Sequence, residues 1–140
     1  MSDAGCVFCR IVAGELPCHR VFEDDDTLAF LDIGPLADGH LLVIPKPHHE
    51  RLETMPAELA GRVLRHLPRL AAAVLRETGA AGYNILQNNG AVAQQEVPHV
   101  HFHIIPRAAG DGLGFRWRPT RYPAGRAEAV REAILRGLGE

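Results

Sequence analysis

Apolar residues recur along this chain with two periods, and those periods mark out its elements. Arg20–Glu23 and Thr27–Leu31 flank Asp24-Asp25-Asp26 and predict a hairpin with a solvated acidic turn. Leu41-Leu42-Val43-Ile44 is a continuous apolar run stopped by Pro45, the profile of a central strand buried on both faces. Residues 82–87 predict a fourth strand, ended by Asn88-Asn89-Gly90, and a polar loop over 91–98 follows. The chain then reads His99-Val100-His101-Phe102-His103-Ile104-Ile105-Pro106. Strict alternation there predicts a half-buried strand, three imidazoles on one face and Val100, Phe102 and Ile104 in the core. Helical spacing predicts a short turn over 6–13 ended by Gly14, a long helix over 56–78 and an amphipathic helix over 124–138. Pro68 lies inside the long helix and predicts a kink or a split. Ala127, Val130, Ile134 and Leu138 share one face of the last helix.

Composition narrows the class. The 140 residues suffice for one domain with a real core, at 46% hydrophobic and 23% charged. A formal charge of −2 leaves no electrostatic basis for non-specific nucleic-acid binding. No apolar run approaches the ~18 residues of a membrane helix, and the N-terminal residues lack the basic and apolar regions of a secretory signal. Three cysteines, an odd number, argue for a reducing compartment rather than a disulfide framework. A cytoplasmic single domain is expected. Gly110-Asp111-Gly112-Leu113-Gly114 is a loop outside any Walker or dinucleotide-binding context, and Phe115-Arg116-Trp117-Arg118-Pro119 is an aromatic, basic arm.

Candidate chemistry gathers at histidines and cysteines. Imidazole titrates near neutral pH and is rarely packing material, so three on one face point to metal, phosphate or proton transfer. Three readings follow: a metal site of His99, His101 and His103; nucleophilic catalysis by one imidazole with help from a neighbour; or ligand binding without turnover. Asn88 and Gln95, uncharged donors just upstream, suit phosphate oxygens and favour phosphoryl or nucleotidyl transfer through histidine. Cys6-Val7-Phe8-Cys9 reads as a redox pair, half a zinc site or coincidence, and Cys18 lies outside it. His48 and His49 are each a surface group or a ligand, His40 reads by itself as a surface histidine, and Asp32 as a turn residue.

Five blocks occur in order: Cys6-Val7-Phe8-Cys9-Arg10-Ile11, Phe30-Leu31-Asp32-Ile33, Gly39-His40-Leu41-Leu42-Val43-Ile44-Pro45-Lys46, Asn88-Asn89-Gly90 and the histidine segment. Together they resemble the histidine triad (HIT) superfamily, in particular the zinc-containing bacterial members of its Hint-like branch. The resemblance implies a hydrolase or transferase acting at a nucleotide α-phosphate through a nucleotidyl-histidine. A purine nucleoside phosphoramidase releasing AMP is the leading form; a dinucleoside polyphosphate hydrolase and a catalytically weak nucleotide-binding regulator are the alternatives. His101 would be the nucleophile and His103 a phosphate contact, while His40 would support His99, the first of the triad. Asn88 and Gln95 would bind phosphate oxygens, Asp32 the ribose, and Phe8, Ile11, Phe30, Ile33 and Leu42 the base. Cys6, Cys9, His48 and His99 would hold a structural Zn2+.

The implied fold is α+β: an antiparallel sheet of about five strands with the long helix and a C-terminal helix, a core over 6–106 and an arm and helix over 107–140. A homodimer is implied as well. The arm around Trp117 is either a packed tail or a segment reaching toward a partner's site. One departure matters. Ala93-Gln94-Gln95 stands where the family reads Ala-Gly-Gln, and glycine there permits positive φ beside the phosphate. Gln94 must adopt that conformation or reshape the loop. Glu96 stands where some relatives carry serine.

Overall fold

The computed structural model describes residues 2–114 and 117–139; the part of the aromatic arm at 115–116 lies outside them. Five strands form one antiparallel sheet: β1 (Arg20–Glu23), β2 (Thr27–Leu31), β3 (Leu41–Pro45), β4 (Gly82–Leu86) and β5 (Phe102–Arg107), in the order β1-β2-β3-β5-β4. Strand β3 is buried at every position, as its unbroken apolar run predicts. The α+β class and the five-stranded sheet stand as expected from the sequence.

Register sorts the side chains into two layers. Ala29, Val43 and Phe102 lie opposite one another across β2, β3 and β5, as do Phe30, Leu42 and His103 one residue along. The first row faces helices α2 (Ala57–Leu64) and α3 (Leu67–Thr78), where Leu59, Val63, Leu70, Ala71 and Val74 complete the main core. The second faces helix α1 (Val7–Val12), where Cys6, Phe8 and Cys9 pack on Leu28, Phe30, Leu42 and Ile44. His103 therefore sits on the α1 side of the sheet.

The long helix splits, and Pro68 is accommodated because it falls in the first turn of α3, where no intrahelical donor is needed. The acidic turn is not simply solvated. Asp24 Oδ1 accepts the backbone N–H groups of Asp26 and Thr27, and its other oxygen lies 2.8 Å from His66 Nε2 at the helix break. Asp26 accepts from Arg62 Nε at 2.8 Å. The run thus ties the hairpin to the helices, which its local composition does not show.

The histidine strand also starts later than the alternation predicts. The ladder opens at Phe102, because the Val100 N–H donates to the His49 carbonyl at 2.7 Å and His99 N–H turns back to Val97 at 2.8 Å. The alternation of faces survives the loss of the ladder: Val100 belongs to the helix-side core, while His99 and His101 turn toward Phe8. Gly39 (φ 90°) brings the chain into β3 past the end of α3, where a Cβ would lie 2.8 Å from Thr78 Cγ2. Helix α4 (Arg126–Gly137) buries no residue, and Ile134 and Leu138 on its apolar face are exposed. No helix among the described residues is long and apolar enough to cross a membrane.

Candidate functional site

Cys6 caps α1, its Sγ accepting the Cys9 N–H at 3.4 Å, so one helical turn places both sulfurs on the same side. The loop after β3 brings His48, and the segment before β5 brings His99. Cys6 Sγ lies 3.4 Å and Cys9 Sγ 3.6 Å from His99 Nδ1, Cys9 Sγ lies 3.4 Å from His48 Nδ1, and the two Nδ1 atoms are 3.2 Å apart. A tetrahedron with zinc–sulfur bonds of about 2.3 Å and zinc–nitrogen bonds of about 2.0–2.1 Å has edges of about 3.6 Å (S–N) and 3.3 Å (N–N). The donor set therefore fits a tetrahedral zinc ion. His99 Nε2–H donates to the Pro45 carbonyl at 2.8 Å, which leaves the Nδ1 lone pair for a metal. Burial pushes the His99 pKa down to about 4, keeping the ring in its ligand form. His49 meets the site's segment through its backbone carbonyl, and Cys18 stays outside the cluster.

The other two triad histidines have their tautomers set by what they bond. His101, buried, donates from Nδ1 to the His99 carbonyl at 2.7 Å, so its Nε2 carries a lone pair. His40 is buried as well, against the surface reading of the sequence. Its Nδ1 accepts the Leu36 N–H at 3.0 Å, so Nε2–H donates to His103 Nδ1 at 2.8 Å. His40 therefore supports the last triad histidine rather than the first, a correction to the implied role. His103 is left with its proton on Nε2, as a donor. Burial, reinforced by the neighbouring His101 and His40, pushes the His103 pKa down to about 4. Burial also lowers that of His40. A free lone pair on His101 and a free donor on His103, with ring centroids 5.0 Å apart, can attack a phosphorus and bind its oxygens.

These rings border a cavity of about 670 Å³. Phe8, Ile11, Phe30, Ile33 and Leu42, the five expected base contacts, all line it, with Asp32, His101 and His103. Its apolar walls suit a flat ring, and Phe8 already meets Phe30 edge-on at 5.7 Å. A smaller space of about 320 Å³ shares Asp32, Gly34, Glu96, His101 and His103 with it and adds His40, Asn88 and Gln94. Asp32 fills its turn role, Oδ1 accepting the Gly34 N–H at 2.8 Å, and still presents its carboxylate at the cavity edge.

Gln95 is placed differently from its expected role. Its Oε1 accepts the Gly90 N–H at 2.7 Å, and its Nε2 donates to the carbonyls of Glu50 at 2.7 Å and Val97 at 3.1 Å. That carboxamide staples the loop, and Gln94 lines the space instead. Asn88 does line it, with Nδ2 donating to the Gln94 carbonyl at 3.4 Å. Leu16, Pro17, Cys18 and Val97 also line the larger cavity without having been expected there. Only their position beside β1 and the histidine segment brings them in.

A five-stranded antiparallel sheet with helices that turns edge-to-face imidazoles over an apolar cavity defines a histidine-centred binding domain. The HIT domain model matches residues 13–110, and the chain belongs to that family. It is 47% identical over 116 residues to the adenosine 5'-monophosphoramidase HNT1 of Saccharomyces cerevisiae, covering 82% of this chain and 71% of the yeast protein. The crystal structure of a HIT-family member from Bacillus subtilis superposes with a TM-score of 0.90 at 41% identity, covering 94% of this chain and 96% of that one. A zinc-bound histidine triad protein from Mycobacterium smegmatis matches with a TM-score of 0.70 at 41% identity, over 96% and 97% of the two chains.

Proposed function

We propose that this chain is an enzyme that hydrolyses purine nucleoside 5'-phosphoramidates through a nucleotidyl-histidine. The observation that carries this is His101: its Nδ1–H is held by a backbone carbonyl, and its Nε2 lone pair is free beside the apolar cavity. The base lies in the slot of Phe8, Ile11, Phe30, Ile33 and Leu42, and Asp32 takes the ribose hydroxyls. His101 Nε2 attacks the α-phosphorus, the phosphorus–histidine bond forming as the bond to the leaving nitrogen breaks; the amine departs with a proton from water. His103 Nε2–H and Asn88 steady the phosphate oxygens as charge moves onto them. Water then attacks the phosphorus, AMP leaves, the proton returns to solvent, and His101 recovers its lone pair.

Cys6, Cys9, His48 and His99 hold a zinc ion in this reading. Four protein ligands close the site, so the ion is structural and offers the substrate no open position. The tetrahedral spacing of the donors and the zinc-bound relative support it. The protein works as a homodimer, in keeping with the family resemblance.

The test is hydrolysis of adenosine 5'-phosphoramidate by the wild type and by His101→Ala, with zinc content and circular dichroism recorded for both. Turnover that disappears in the variant at unchanged fold and zinc content supports the reading. Wild-type protein that binds AMP but releases none from the phosphoramidate overturns it.

A further inference from the structure

The chain leaving β3 through His48 continues as segment 49–52, and that segment holds the loop over 88–97 and the start of the histidine segment at three positions. The His49 carbonyl accepts the Val100 N–H at 2.7 Å, the Glu50 carbonyl accepts from Gln95 Nε2 at 2.7 Å, and the Leu52 N–H donates to Asn89 Oδ1 at 2.8 Å. Two of these three bonds run through carboxamide side chains of the loop itself. Neither Gln95 nor Asn89 lines the base cavity or the smaller space beside it.

The partners fix how both carboxamides point. Gln95 Oε1 meets the Gly90 N–H at 2.7 Å, while its Nε2 meets two carbonyls, of Glu50 at 2.7 Å and Val97 at 3.1 Å. Both amide hydrogens are thus spent, and none remains for a phosphate oxygen. Asn89 Nδ2 donates to Gln87 Oε1 at 2.5 Å, and its Oδ1 accepts from Gln87 Nε2 at 3.0 Å. Gly90 is clasped from both sides, because the Gln95 N–H also donates to its carbonyl at 3.1 Å. Its φ of 91° and ψ of 150° belong to a region that glycine alone enters freely. The two residues flanking this clasp, Asn88 and Gln94, are the ones that line the phosphate space. Asn88 Nδ2 makes a long contact, 3.4 Å, to the Gln94 carbonyl and has a second hydrogen to offer.

We propose that Gln95 and Asn89 are positioning residues for phosphate: fastened to segment 49–52, they aim Asn88 at the phosphate without touching it themselves. This rests on the phosphate-binding part of the function proposed above and adds to it the residues that set the shape of that space. A displacement of about 1 Å in a binding group can cost on the order of 100-fold, and an unfastened loop allows such a displacement. A carboxamide in contact with phosphate would make Gln95 important and Asn89 indifferent. The clasp makes both important, and it makes their effects overlap, since each acts through the same loop.

The experiment measures dissociation constants for AMP and for adenosine, which lacks the phosphate, in the wild type, Gln95→Met, Asn89→Ala and the double variant, with zinc content recorded. Methionine matches the length of glutamine without its hydrogen bonds, and adenosine reports whether the base cavity is intact. Each single variant weakens AMP at least about fivefold and adenosine by less than about twofold, and the KM of adenosine 5'-phosphoramidate rises alongside. The double variant binds AMP within about threefold of the weaker single variant. Gln95→Asn, one methylene too short to span Gly90 and Glu50, shows the same AMP-selective loss and replaces the methionine variant if that one does not fold. A smaller AMP loss in either single variant, a parallel loss for adenosine, or a double variant that multiplies the two single effects overturns the proposal. If the wild type binds AMP and hydrolyses no phosphoramidate, the phosphoramidase reading fails, and the AMP-to-adenosine ratios still decide the positioning role.

Discussion

Loss of the zinc ligands is expected to cost stability and activity together, by amounts that the structure lets one state. Helix α1 has six residues, too few to persist without tertiary support. Its buried contacts with the sheet are Phe8 and the two thiols, each less than 7% exposed, with Ile11 and Val12 partly buried beside them. Burying Phe8 supplies about 1.5–3 kcal/mol. Zinc bound at a free concentration of about 1,000 times its dissociation constant adds about 4.1 kcal/mol. An unfolding entropy of about 2.1 cal/mol/K per residue over 140 residues makes each kcal/mol worth about 3.4 °C. Removing the ion should therefore lower Tm by about 14 °C.

The assay is thermal unfolding of the purified protein and of Cys9→Ser, each with and without a strong chelator, alongside metal analysis. The wild type should bind one zinc per chain and fall by about 14 °C with chelator; Cys9→Ser should start low and respond little. Cys18→Ser serves as control and should keep both metal and Tm. Activity should fall with the metal if His99 is a ligand as proposed, because the His99 carbonyl orients His101. A wild type without bound metal, or one whose Tm moves less than 2 °C on chelation, would refute the reasoning.

Three further outcomes are expected. His40→Ala removes the donor to His103 Nδ1 and frees that ring to change tautomer; Tm should fall because the Leu36 N–H loses its acceptor, while kcat of the folded protein should fall about 10–100-fold, and a loss under threefold in steady-state kinetics speaks against the relay. Asp24→Ala should cost about 2–3 kcal/mol in urea unfolding, because two backbone donors and His66 lose their acceptor, whereas Asp25→Ala should stay within about 0.5 kcal/mol; equal effects would return the acidic run to a plain solvated turn. The His103 pKa of about 4 lies below the ordinary 6.5, so the unfolded chain takes up the proton first. This contribution is complete above pH 6.5 and lost as pH falls toward 4, by about 1–2 kcal/mol once the ring's partial exposure is discounted from 1.36 kcal/mol per unit. His103→Asn should flatten that part of the pH–stability curve, and an unchanged slope would count against it.

Much of this architecture is legible in the chain because it depends on local pattern. Leu41 to Ile44 announce a doubly buried strand by being apolar without interruption, and Pro68 announces the helix break. The misplaced features all depend on partners distant in sequence. Nothing local tells that Asp24 meets His66 across 42 positions, or that His49 supplies the carbonyl that ends the β5 ladder early. The Gln94–Gln95 pair shows the same limit within one loop. Composition offers two equivalent carboxamides, and only the Gly90, Glu50 and Val97 groups around Gln95 decide which one is consumed by the loop.

The histidine segment shows why its alternation outlasts its strand. Each of the three rings is fixed by a different acceptor or donor: His99 by the Pro45 carbonyl, His101 by the His99 carbonyl, His103 by His40. A regular ladder would leave the backbone of 99–101 engaged with a neighbouring strand and its carbonyls unavailable to the rings. Leaving the ladder at Phe102 releases the His99 carbonyl for His101 while its side chain meets the cysteines. One residue then serves both halves of the site, so a substitution at His99 should remove metal and turnover together. His103→Asn should separate them, leaving zinc content intact while kcat falls.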